Sequence, residues 1–163
     1  MLIAGFSNDS IVDGEGIRFT IFVQGCPHHC IGCHNPQTHS FKGGKEYDIE
    51  AVVKMFHSNP LISGITLSGG EPFCQESTCA KIAEIAKTFN LNVWVYTGYT
   101  FEQLLSMRKT ELLKYTDVLV DGKFEIKKKS LDLMYRGSSN QRLIDVKKSL
   151  ALGKVVLYEP KAF

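Results

Sequence analysis

Cys26, Cys30 and Cys33 fall within eight residues of one another, in the segment Gly25-Cys26-Pro27-His28-His29-Cys30-Ile31-Gly32-Cys33-His34-Asn35-Pro36. Thiolates separated by three and then two residues can wrap one iron–sulfur cluster from a single loop. A complete [4Fe-4S] ligand set takes four cysteines, so three leave one iron unclaimed. Catalytic metal sites keep such a position open, because a substrate or cofactor must reach the metal, whereas structural sites close it. Two other readings suit the same segment: a zinc site completed by His28, His29 or His34, and a cluster that only carries electrons. Cys74 and Cys79 fall on a predicted helix with a spacing that keeps their thiols off a common face. They read as packed or incidental thiols, since free cysteine commonly behaves as a small buried hydrophobe.

The elements that must position this loop follow from the apolar pattern. Arg18 to Gln24 is rich in β-branched and aromatic residues and stops at Gly25, so the cysteine loop begins where a predicted strand ends. Residues 46 to 57 carry Ile49, Val52, Val53 and Phe56 at helical spacing. Ile62 to Ser68 reads as a second strand closed by Gly69-Gly70, a helix with Ile82, Ile85, Ala86 and Phe89 on one stripe follows, and Val93 to Thr97 is the third strand. The pattern predicts a helix over Phe101 to Tyr115 and a fourth strand over Val118 to Asp121. Gln141 to Val146 and Val155 to Tyr158 add two short strands, while Lys127-Lys128-Lys129 reads as a solvated face. Alternation of strand and helix implies βαβ units, and about six mostly parallel strands are too few for a closed barrel of eight units. The expectation is an α/β fold, an open partial (β/α) barrel, with residues 1–163 as one domain.

A chain of 163 residues with 44% hydrophobic content is large enough to fold without disulfides or structural metal. Its net charge of +2 gives no nucleic-acid or membrane-seeking surface. The apolar start Met1-Leu2-Ile3-Ala4-Gly5-Phe6 has no basic leader and breaks at Ser7, Asn8 and Asp9, and no run approaches a membrane span. The expectation is a cytoplasmic protein, where five cysteines read as ligands rather than a disulfide framework.

The cysteine loop at the end of the first predicted strand, followed by Ser68-Gly69-Gly70-Glu71-Pro72 at the end of the second, resembles the radical S-adenosylmethionine superfamily. Further blocks narrow the resemblance to activating enzymes of glycyl radical enzymes, and among them to those serving an anaerobic ribonucleoside-triphosphate reductase. These are Val12-Asp13-Gly14-Glu15-Gly16-Ile17-Arg18, Trp94-Val95-Tyr96-Thr97-Gly98-Tyr99, Asp117 to Phe124 and Arg136 to Arg142. Gly32, where most of the superfamily has an aromatic residue, fits the same group. Asp13-Gly14-x-Gly16 and His34-Asn35 are shared with the pyruvate formate-lyase activating enzyme, the nearest alternative, which is usually longer.

The resemblance implies a [4Fe-4S] cluster on Cys26, Cys30 and Cys33, with S-adenosyl-L-methionine chelating the open iron. One electron cleaves the sulfonium, and the resulting 5′-deoxyadenosyl radical takes hydrogen from a glycine of the reductase. A donor such as flavodoxin or ferredoxin supplies the electron. Gly32, Cys33 and His34 would wall the adenosyl group, and Gly70, with Glu71 nearby, would meet the methionine amine. Asp13 resembles the residue that contacts the glycyl loop in related activases. Thr97 and Lys123 sit at strand ends, where ligands of open α/β sheets gather, and are candidates for the methionine carboxylate or the ribose. His28 and His29 are expected as exposed loop residues, and Trp94 and Tyr135 as packing.

Overall fold

The computed structural model describes residues 1–161, so the last two positions of the expected domain lie outside the described residues. Among the described residues, seven strands and four α-helices follow one another: β1 (Leu2–Ser10), β2 (Arg18–Val23), β3 (Lys45–Glu46), α1 (Ile49–His57), β4 (Gly64–Gly69), α2 (Glu76–Thr88), β5 (Asn92–Tyr96), α3 (Phe101–Ser106), β6 (Val118–Asp121), β7 (Arg142–Asp145) and α4 (Val146–Leu152). The strands form one open sheet in the order β3-β1-β2-β4-β5-β6-β7. No described helix is long and apolar enough to cross a membrane.

Only the centre of the sheet is parallel, which corrects the expectation of mostly parallel strands. β2, β4, β5 and β6 pair in parallel, while β1, β3 and β7 join antiparallel. The reason for β1 is connection length: residues 11–17 are too few for a parallel crossover, which takes a dozen residues or more. Seven strands replace the expected six because β1 and β3 are additional, and Val155 to Tyr158 makes only an isolated bridge between Ile144 and Leu157.

Period-two alternation divides the sheet into two faces. Phe19, Ile21, Ile65, Leu67, Val93, Val95, Leu119 and Ile144 belong to the main core cluster, together with Val52 and Phe56 of α1 and Ile82, Ala83 and Ala86 of α2. The alternate residues Thr20, Thr66, Trp94 and Val118 lie in one row across the opposite face, where Trp94, Val118, Val120 and Leu143 form a smaller cluster with Tyr96, Tyr135 and Tyr158. Arg18 is the charged side chain buried on this second face. The fully buried Arg18 donates to Thr66 Oγ1 at 2.7 Å, to the Glu15 carbonyl at 2.8 Å and to the Ile65 carbonyl at 2.7 Å, with its guanidinium over Trp94. Desolvation lowers its pKa to about 10, leaving it cationic at neutral pH.

The helix expected over Phe101 to Tyr115 ends at Ser106. Arg108 takes a left-handed φ of 58°, and its N–H and that of Lys109 bond the Leu105 and Leu104 carbonyls, a Schellman closure. Leu112 and Leu113 still reach the core, from a separate short turn.

Candidate iron-sulfur site

All four parallel strands release their loops at one edge of the sheet, where open α/β sheets bind ligands. After β2, the cysteine loop is stitched to its surroundings by Gly25 N–H to Thr38 O at 2.7 Å and Cys26 N–H to His39 O at 3.1 Å. After β4, Gly70 N–H donates to Val23 O and Glu71 N–H to Gly25 O, each at 2.8 Å, so the parallel pairing continues beyond the strands and joins the two loops. A cavity of about 720 Å³ opens there, within the range of small-molecule sites. Cys26, Cys30 and Cys33 line it together with Ser68, Gly69 and Gly70.

The three thiols fit a cluster. Asn35 N–H points to Cys33 Sγ at 3.4 Å. A hydrogen bond of this kind tunes a cluster's sulfur ligand. Burial pushes the Cys26 thiol up to about 11 and raises that of Cys30, so a bound metal's positive charge is what would hold them as thiolates. Cys74 is exposed and Cys79 is fully buried in the main core, and neither lines the cavity. Among the described residues, no three His, Cys, Asp or Glu groups converge on a single ion. Of the histidines that could complete a zinc site, His28 is hydrogen-bonded to Glu71, while the His29 and His34 rings pack on His39 and Phe124.

His34, Gly70, Thr97 and Asp13 also line the cavity. Gly32 packs against Ile126 and Phe124 from a left-handed φ of 77°. Glu71 is different from the expectation of a carboxylate beside an amine: it is fully buried and its oxygens are already bonded. Thr97 Oγ1 donates to it at 2.8 and 2.9 Å, Gly98 N–H at 2.8 Å, Phe73 N–H at 3.1 Å and His28 Nε2–H at 2.7 Å. The Thr97 hydroxyl, which also accepts from Tyr99 N–H at 3.1 Å, has no proton left for a ligand. Lys123 is exposed, with its carbonyl accepting from Asn140 at 2.7 Å; Lys129 and Arg136 are the lysine and arginine that line the cavity.

His28 corrects the expectation of an exposed loop residue, its side chain being only 6% exposed. Trp94 is buried as expected, but Tyr135, besides packing on Trp94, lines the cavity. Arg136 and Tyr135 were not singled out from sequence as site residues, although Arg136 opens one of the blocks carrying the resemblance.

A family described as "4Fe-4S single cluster domain" matches residues 12–144, from the turn before β2 to β7. A protein of Pasteurella multocida is 38% identical over 140 residues, covering 80% of this chain and 89% of that protein. One from Enterobacteria phage T4 is 36% identical over 138 residues (81% and 86%), and one from Vibrio cholerae 37% over 139 residues (80% and 89%). All three are named anaerobic ribonucleoside-triphosphate reductase-activating protein. The chain belongs to this family of iron–sulfur activating proteins.

Proposed function

We infer that this chain is a cytoplasmic radical S-adenosylmethionine enzyme that generates a glycyl radical on an anaerobic ribonucleoside-triphosphate reductase, its sheet serving as the open partial barrel of that superfamily and residues 1–163 as one catalytic domain. The observation that supports it is the meeting, in one cavity, of three cysteines with no fourth and a Gly-Gly turn whose backbone faces the same space. When bound, the [4Fe-4S] cluster and S-adenosyl-L-methionine supply one-electron cleavage and a hydrogen-abstracting radical.

The residues themselves bind, orient and exclude water. Cys26, Cys30 and Cys33 hold the cluster; Cys33 and His34, on the framework set by Gly32, flank the adenosyl group. Gly69 and Gly70 offer carbonyls to the methionine amine, and Glu71 acts through the shape of that turn, since its own oxygens are taken. Arg136 and Lys129, the cations lining the cavity, are our candidates for the methionine carboxylate, in place of Thr97 and Lys123, the candidates for that group or the ribose. Asp13, at the cavity wall, meets the partner's glycyl loop.

Anaerobic reconstitution with iron and sulfide, then dithionite and S-adenosylmethionine, should release 5′-deoxyadenosine and, with the reductase present, give a glycyl radical by electron paramagnetic resonance. A cluster spectrum indifferent to S-adenosylmethionine, with no 5′-deoxyadenosine, would identify an electron carrier. Zinc without iron or sulfide would identify a zinc module.

A further inference from the structure

We propose that His28 is a positioning residue, a latch that fixes the cysteine loop to the β4 turn through the buried Glu71 carboxylate. This rests on reading the cavity as an S-adenosylmethionine site and adds the element that sets the distance between its two halves.

The latch is visible from both sides. Its Nε2 stands 2.7 Å from Glu71 Oε1, and because a carboxylate only accepts, the ring donates. Tyr99 meets the ring edge-on, with centroids 4.5 Å apart. Gly98 leaves the space the ring fills: a Cβ there would stand 2.4 Å from His28 Cδ2 and 2.6 Å from Nε2. The neighbouring His29 is exposed, so burial here is specific to one of two adjacent histidines.

One carboxylate thereby joins three strand ends. Glu71 accepts from its own turn through Phe73, from the end of β5 through Thr97 and Gly98, and from the loop after β2 through His28. Backbone bonds already hold the Cys26 end of the loop, whereas Cys33 N–H bonds Cys30 O within the loop itself. His28, between Cys26 and Cys30, is the side chain that ties the middle of the loop to the Gly69-Gly70 turn. Without it three thiols remain to take up a cluster, but the cluster's distance from the turn is no longer fixed. A displacement of about 1 Å is enough to cost around a hundredfold in a reaction that depends on orientation.

The test uses His28→Ala, His28→Gln, Gly98→Ala and the double variant His28→Ala/Gly98→Ala, each reconstituted in the full chain. His28→Ala should keep its iron content while weakening S-adenosylmethionine binding about tenfold, an expectation scaled down from that orientation cost. It should also blur the change that S-adenosylmethionine makes in the reduced cluster's electron paramagnetic resonance spectrum. His28→Gln, which can still donate to Glu71, should recover most of both. Gly98→Ala should copy His28→Ala by evicting the ring, and should add little once the ring is gone, a coupling also read in the melting temperatures of the cluster-free chains.

Unchanged affinity and spectrum in His28→Ala would overturn the latch. So would additive effects of His28→Ala and Gly98→Ala, failure of His28→Gln to rescue, or loss of iron from a cooperatively melting His28→Ala chain. Wild-type protein that holds a cluster yet ignores S-adenosylmethionine would instead defeat the functional reading on which the latch rests.

Discussion

A Cβ on Gly70 would stand 2.4 Å from the Gly25 carbonyl oxygen and 3.0 Å from that of Val23. Glycine is therefore required there because two backbones touch, not only because a ligand approaches. Gly70→Val is expected to cost about 2–3 kcal/mol, the scale of a severe steric defect, and to lose iron along with S-adenosylmethionine binding, since the turn and the cysteine loop share their hydrogen bonds. Melting temperature and iron content check this; a fully loaded, fully stable variant that fails only in ligand binding would contradict it. Cys30→Ala is the contrasting case: the main core contains none of the three loop cysteines, so the chain should fold with nearly unchanged melting while its iron falls. The cysteines and the Gly-Gly turn were legible because each motif is contiguous. His28 was not, because its partner Glu71 lies 43 residues away and nothing adjacent to it signals burial.

The four parallel strands and α1 and α2 were read from sequence because their apolar residues form the helix-covered face. β1 escaped for a physical reason: Gly5, Ser7, Asn8 and Asp9 interrupt its apolar pattern, and it is held largely by partners distant in sequence. Gln75 brackets Leu2, accepting from its N–H at 2.9 Å and donating to its carbonyl at 2.8 Å. β6, α3 and β7 meet through another distant set. Asp121, 1% exposed, accepts from Phe101 N–H at 2.8 Å at the start of α3 and from Arg142 at 3.0 and 2.6 Å. Arg142 also reaches Glu102 at 2.8 Å. Arg142→Met is expected to destabilise the fold by about 2 kcal/mol, less than the 3–5 for a wholly buried pair because the arginine is partly exposed. Denaturant unfolding measures it. The hydrogen bond to Arg142 holds the Glu102 carboxyl below its ordinary 4.5, so its contribution is complete above 4.5 and is lost as pH falls through the lowered value. Wild type should therefore lose stability more steeply than Arg142→Met below pH 4.5; parallel curves would remove the ion pair from the account.

The molecule as a whole is asymmetric: helices cover one face of the sheet, while the other carries the cavity and the exposed residues Ile11, Val12 and Leu131 at its wall. Asp13 belongs to this wall and also to the internal framework. Its carboxylate accepts from Ser10 Oγ at 2.5 Å and Thr20 Oγ1 at 3.3 Å, and its carbonyl accepts from Thr66 Oγ1 at 2.7 Å. The resemblance implies contact with a partner's glycyl loop, and these bonds show that internal support of the turn is also part of what Asp13 does. The two roles separate because the thiols and the Gly-Gly turn are held by other bonds. Asp13→Ala is expected to cost about 1 kcal/mol in stability from lost hydrogen bonds, to bind the cluster, and to release 5′-deoxyadenosine without the reductase at close to the wild-type rate. With the reductase present, glycyl radical yield should fall about tenfold or more, because a misplaced loop is penalised at the hydrogen-transfer step. Ser10→Ala supplies the control: it removes an internal bond to the carboxylate but leaves the carboxylate in place. If Ser10→Ala loses as much radical as Asp13→Ala, turn support explains the defect; if it retains the radical while Asp13→Ala does not, the carboxylate itself meets the partner.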